Sequence, residues 1–253
     1  MTSSSVPQRG LSANALKLLA ILAMTIDHIA WLLYPGYPTQ VLPLCMHLIG
    51  RLTCPIMCYF IAEGYHYTKN FRAYALRLFV LAIVSHFAYL YASNAYTGWR
   101  SFAPFSSGSI LNQTGVVWSL LGGLFMLRIN DLDCSATKKA IYILFLCLLT
   151  LPADWSCIAA LCILSIGSNR GEPKKQLSWC AFYVFLYAAV YFFSIDRLYG
   201  LLQLGVFLSV PLLRLYNGAR GRSARLSRIL KPLFYIYYPL HLFLIGLVRT
   251  YFL

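Results

Sequence analysis

An all-α, polytopic integral membrane protein is the fold class this sequence predicts, on three observations. Of its 253 residues 60% are hydrophobic, where a soluble domain has about 45–50%. Only 11% are charged, against about 25% in such a domain. Apolar stretches recur from end to end and are broken by short basic loops, so lipid must be the solvent for most of the apolar surface. Soluble globular and disordered chains are excluded on the same grounds.

Residues 1–14 form a short polar tail, and residues 15–253 form a single transmembrane domain with no linker to divide it. A spanning helix needs about 20 largely apolar residues. The first span, 15–34, follows Arg9 and Lys17 and could be mistaken for a signal peptide. It carries Asp27 and His28, runs on to Tyr34 and meets no small-residue cleavage site, so it is read as retained. Apolar runs place the next spans at 42–66, kinked at Pro55, at 74–93, and at 112–129 after a Ser- and Gly-rich loop. Runs 139–153 and 155–169 are short and joined by a tight turn at Pro152–Trp155. They make either a full hairpin or a re-entrant pair, and both keep the parity of the later spans. The last three runs are 177–194, 199–216 and 233–252.

The formal charge is +14. The basic residues sit at the ends of apolar runs and not on an amphipathic face, so the partner they imply is the lipid bilayer and no nucleic acid. With the N-terminus cytoplasmic, 17 of the 21 Lys and Arg fall on inner segments. Only Arg51, Arg100, Arg197 and Arg249 remain for the membrane interior or the outer side. This predicts nine spans with the C-terminus external. Eight cysteines, without a CxxC pair and nearly all in apolar runs, read as small buried residues and predict no metal site.

Ionisable groups inside a bilayer cost several kcal/mol each and are candidate functional residues by default. Asp27 and His28 lie about 15–17 Å beyond Lys17, and Arg51 about 13 Å in from the outer edge. Asp27 and Arg51 at matched depth form either a structural ion pair or part of a site built around His28, with Asp27 or another acid orienting it. Glu63 and His66 share a face near the inner end of the second span. His86 lies midway along the third span and reads first as a packing residue. Pro239 breaks the helix ladder two residues before His241, where a cavity can open, and Tyr235, Tyr237 and Tyr238 add hydroxyls beside it. The chain has no Walker A loop, GxGxxG, HExxH or GxSxG. Gly122-Gly123 reads as a helix-packing notch.

Five segments together resemble the TraX family, membrane proteins associated with N-acetylation of conjugative pilin. They are LKLLAILAMTIDHI with Lys17, Met24, Asp27 and His28; GRLTCPIMCYFIAEGYHYTKN followed by Tyr74 and Arg77; Leu111-Asn112; Ala153-Asp154-Trp155; and KPLFYIYYPLHL, from Lys231 to Leu242. The resemblance covers about residues 16–242. One departure is His86, where relatives carry an acid, so no acidic role is available there.

The resemblance implies a membrane-bound N-acetyltransferase of the bacterial inner (cytoplasmic) membrane. It implies acetyl-CoA as donor and the N-terminal amine of a pilin subunit as acceptor. Position in the membrane puts His28, Asp27 and Glu63 forward for catalysis, with His28 as base or as a transient acetyl carrier and Glu63 as the alternative base. Arg51, His241, Tyr235 and Lys231 are assigned to substrate and donor binding. The basic inner loop Gly218–Lys231 offers a positive field to an anionic donor. Two other readings stay open: a transporter or non-catalytic pilus-assembly factor, and an acetyltransferase acting on a lipid or glycan.

Overall fold

The computed structural model describes residues 10–93, 112–221 and 223–252, without the side chains of Ala224 and Lys231. The helices are α1 (Ala13–Leu33), α2 (Val41–Gly50), α3 (Thr53–Tyr67), α4 (Phe71–Ala92), α5 (Val117–Asn130), α6 (Ala136–Thr150), α7 (Ser156–Ser168) and α8 (Pro173–Ser194). A broken segment comes next, of α9 (Arg197–Gln203), a 3₁₀ turn (Leu204–Leu208) and α10 (Ser209–Arg214), and then α11 (Ala224–Phe252). No strand occurs among the described residues; two isolated bridges join Leu11 to Tyr216 and Thr114 to Ala153. The outer loop expected before Leu111 lies outside the described residues.

Local chemistry sets the helix starts. Ser12, Asn70, Ser135 and Asp196 each accept a hydrogen bond from a backbone N–H three residues on, which satisfies a donor that the first turn leaves free. Pro173 opens α8, where its missing N–H costs nothing.

Among the described residues, five helices are long and apolar enough to cross a membrane: Ala13–Leu33, Val41–Tyr67 taken through its interruption, Phe71–Ala92, Pro173–Ser194 and Pro232–Phe252. The molecule is a multi-pass membrane protein. Its outer surface is apolar, with Phe193 82% and Val41 76% exposed, as lipid demands. The innermost element is α7, which packs on α3, α5, α6 and α8. Its small residues Ala159, Ala160 and Cys162 are buried. Gly123 lets α5 approach, since a methyl group there would meet Ile163 Cβ at 2.7 Å. By contrast α6 buries only Thr150. With 15 and 13 residues, α6 and α7 rise about 22 and 20 Å. Both are shorter than a bilayer core of about 30 Å.

The second span is interrupted where the kink was expected, over Arg51 and Leu52, which keep right-handed helical backbone angles. Pro55 has no N–H for the carbonyl of Arg51, and its ring crowds that carbonyl, so α2 ends at Gly50 and α3 begins at Thr53. Pro211 has the same relation to Phe207, and the penultimate span turns 3₁₀ there. Pro239 withholds its N–H from the Tyr235 carbonyl, the expected gap in the ladder, without ending the helix. The helix continues through both Pro232 and Pro239 as a single element of 29 residues. α11 packs on α4 and α1.

Candidate active site

The interruption of the second span places Arg51 at a helix end inside the molecule. Its Nη2 donates to Asp27 Oδ1 at 2.7 Å, its Nη1 to Gln203 Oε1 at 3.0 Å, and its Nε to the His47 carbonyl at 3.0 Å. His47 donates from Nδ1 to the same Asp27 oxygen at 2.8 Å and is fully buried. The ion pair expected from matched depth is therefore formed, and α2 and α9 supply two further members. Asp27 and Arg51 are each 9% exposed. Gly50 makes the approach of α2 to α1 feasible, because a methyl group there would lie 2.6 Å from Asp27 Oδ1.

His28 is on the adjacent face of α1 and has a different partner from the acid expected. Its Nδ1 lies 2.6 Å from His241 Nε2, with the two ring planes 4° apart. His241 Nδ1 lies 2.9 Å from the Tyr237 carbonyl. That carbonyl can only accept, so in the neutral pair His241 Nδ1 carries a hydrogen and its Nε2 accepts from His28 Nδ1–H. His28 Nε2 is left without a proton, as a base. Both nitrogens of His241 are engaged, so it backs His28 and has no nitrogen left for a donor. Beside this relay the Tyr237 hydroxyl and Thr25 Oγ1 are 2.7 Å apart. Thr25 itself donates to the Ile21 carbonyl, so Tyr237 is the donor, and α1 is fastened to α11 at this level.

The charged network and His28 open on one cavity of about 1010 Å³. Its walls run along α1 from Ala13 to Leu32, a rise of about 28 Å. At one end are Lys17, Lys69, Arg77 and Arg220. Hydrogen bonds from the backbone N–H of Ala13 and Asn14 to the carbonyls of Ala219 and Arg220 hold the basic loop there. Lys17 Nζ sits over the rings of Phe60 and Phe234 at 4.9 and 5.5 Å, a cation–π arrangement. At the other end are Trp31, Tyr37, Ser93 and Arg249.

Of the residues singled out in the sequence, His28, Asp27, Arg51, Glu63 and Tyr235 line this cavity. Lys231's side chain lies outside the described residues. Glu63 and His66 do not act as a pair. Glu63 faces Arg170 at 3.8 Å, while His66 Nε2 donates to the Gly167 carbonyl at 3.0 Å. His86 pairs with Thr114 Oγ1 at 2.9 Å. Sequence reasoning missed His47 and Gln203. His47 stands four residues before Arg51, one helical turn away, and that spacing was the available signal. Gln203 gave none.

The chain matches the family model described as "TraX protein" over residues 12–249. It is 28% identical over 242 residues to the probable fimbrial assembly protein FimC, serogroup H1, of Dichelobacter nodosus, covering 92% of this chain and 94% of that one. A shorter stretch of 54 residues is 44% identical to the uncharacterized protein RP591 of Rickettsia prowazekii (strain Madrid E), 21% of this chain and 18% of that protein. No solved structure matches. With 238 consecutive residues under the family model, the chain belongs to the TraX family.

Proposed function

We propose that the protein is a pilus-related membrane acetyltransferase, moving acetyl from acetyl-CoA to the N-terminal amine of a pilin subunit. The observation that carries this reading is the His28–His241 contact, which in the neutral pair leaves His28 Nε2 as a base, on the wall of a cavity lined from one end of α1 to the other. The amine nitrogen attacks the thioester carbonyl carbon. His28 Nε2 takes the amine proton as the N–C bond forms, the C–S bond breaks, and the proton passes to the leaving thiolate. Lys17, Lys69, Arg77 and Arg220 suit the phosphates of coenzyme A at the cationic mouth. The fimbrial-assembly relative supports a pilus context.

Mass spectrometry of pilin from cells with and without the gene tests the reaction and the acceptor together. An N-terminal acetyl present only with the gene is the expected result. Pilin unmodified in both cell types removes the reading and leaves an assembly factor.

The proposed setting is the bacterial inner membrane, with nine passes. The passes are α1, α2–α3, α4, α5, α6, α7, α8, the α9–α10 segment and α11. The basic mouth then faces the cytoplasm, where acetyl-CoA arrives, and the Trp31 end faces out, where a cleaved pilin presents its N-terminus. A reporter fused after Lys231 should read cytoplasmic and one fused after Leu253 external. A cytoplasmic C-terminus would mean that α6 and α7 do not both cross.

A further inference from the structure

We propose that Asp154, with the aromatic rings around it, forms a subsite for a primary ammonium group; naming that group the acceptor's amine rests on the acetyltransferase reading. Asp154 belongs to the turn between α6 and α7. Two consecutive non-glycine residues after it are left-handed, Trp155 at φ 62° and Ser156 at φ 49°. Side chains rarely adopt that conformation, and it persists only where the surroundings enforce it. Here Asp154 N–H donates to the Thr114 carbonyl at 2.8 Å and Ser156 N–H to the Ala153 carbonyl at 2.8 Å. The turn is thereby fixed with Asp154 on the cavity wall.

Among the described residues no Lys, Arg or His pairs with Asp154. Arg51 is within electrostatic reach, but Asp27 neutralises it at 2.7 Å. Asp154 is half-buried on the cavity wall, and a carboxylate there without a cationic side chain beside it is open to a cation from the cavity. The rings around it fit a cation too. Tyr89, Tyr187, Tyr191 and Tyr238 share the wall and are close enough to feel its charge, and Trp155 stacks on Tyr187 at 4.0 Å. Aromatic faces attract ammonium groups, and tyrosine oxygens accept their hydrogens. A hydroxyl acceptor of the same size would gain neither the ion pair nor the ring contacts. The subsite thus selects amines over alcohols.

Calorimetric titration of the full chain in zwitterionic nanodiscs, with empty nanodiscs subtracted, tests this with n-hexylammonium and 1-hexanol as probes. Saturable binding of n-hexylammonium, without competition from equal 1-hexanol, is expected. Asp154→Asn should weaken it about tenfold or more, the scale of a lost charge-assisted hydrogen bond. Equal binding of the two probes by the unaltered protein would overturn the proposal, whatever the variant does to folding. So would unchanged ammonium affinity in Asp154→Asn. Acetyl-CoA is absent from the titration, so the two ideas fail separately. Ammonium binding in a protein that never transfers acetyl keeps the subsite and removes the enzyme. Transfer at an unchanged KM for the acceptor in Asp154→Asn removes the subsite and keeps the enzyme.

Discussion

His28→Ala is expected to lower acetyl transfer by about 10²–10⁴-fold, the usual effect of losing a general base, while protein level stays near normal. His28 is partly buried at the cavity wall and, among the described residues, its one polar contact is to His241, so its removal leaves a neutral imidazole short of a donor and strands no charge. Radiolabelled acetyl-CoA separates the steps: donor binding should be retained and transfer lost. His241→Ala should show the same pattern more mildly, because His241 sets the tautomer of His28 and touches the Tyr237 carbonyl with its other nitrogen. Loss of donor binding in His241→Ala, with His28 chemistry otherwise intact, would return His241 to thioester binding. Transfer at the normal rate in His28→Ala would move the base elsewhere, with Glu63 the next residue on the wall.

Asp27→Asn and Arg51→Leu should each destabilise the protein by about 3–5 kcal/mol, since either change leaves a buried charge without its partner. Protein level in the membrane and thermal unfolding in detergent report the loss. The double change should recover part of it and not all. Gln203 Oε1 loses the hydrogen that Arg51 donated, and a buried polar group without a partner costs about 1–3 kcal/mol. Abundant single variants that unfold at the usual temperature would show that the charges are not held as a pair.

The Asp27–Arg51 contact was legible from counting alone, because 1.5 Å per residue sets depth from either membrane edge. The interruption near Pro55 was equally legible, since proline removes a donor at a known offset. The His28–His241 contact was not. These residues are 213 apart in sequence, and only the placement of α11 against α1 brings them together. Depth said that both were inside the membrane and gave no azimuth. The same gap explains Glu63 and His66: a shared helical face at i and i+3 is wide enough for one to meet Arg170 and the other to meet α7. Pro239 was legible in the same way as Pro55, since it withholds its N–H from the Tyr235 carbonyl inside a helix that runs on past it.

The two-ended cavity beside α1 has an electrical consequence in the proposed orientation. An energised cytoplasmic membrane is negative inside, and each elementary charge that crosses it exchanges about 2.3 kcal/mol per 100 mV. An anionic donor climbing from the cytoplasm moves with that voltage, and so does a cationic amine descending from outside. Both reactants drift downhill toward His28 from opposite faces. Acetylation turns the ammonium into a neutral amide, with one proton passed to the leaving thiolate and one released, and the voltage then has no hold on the acetylated nitrogen.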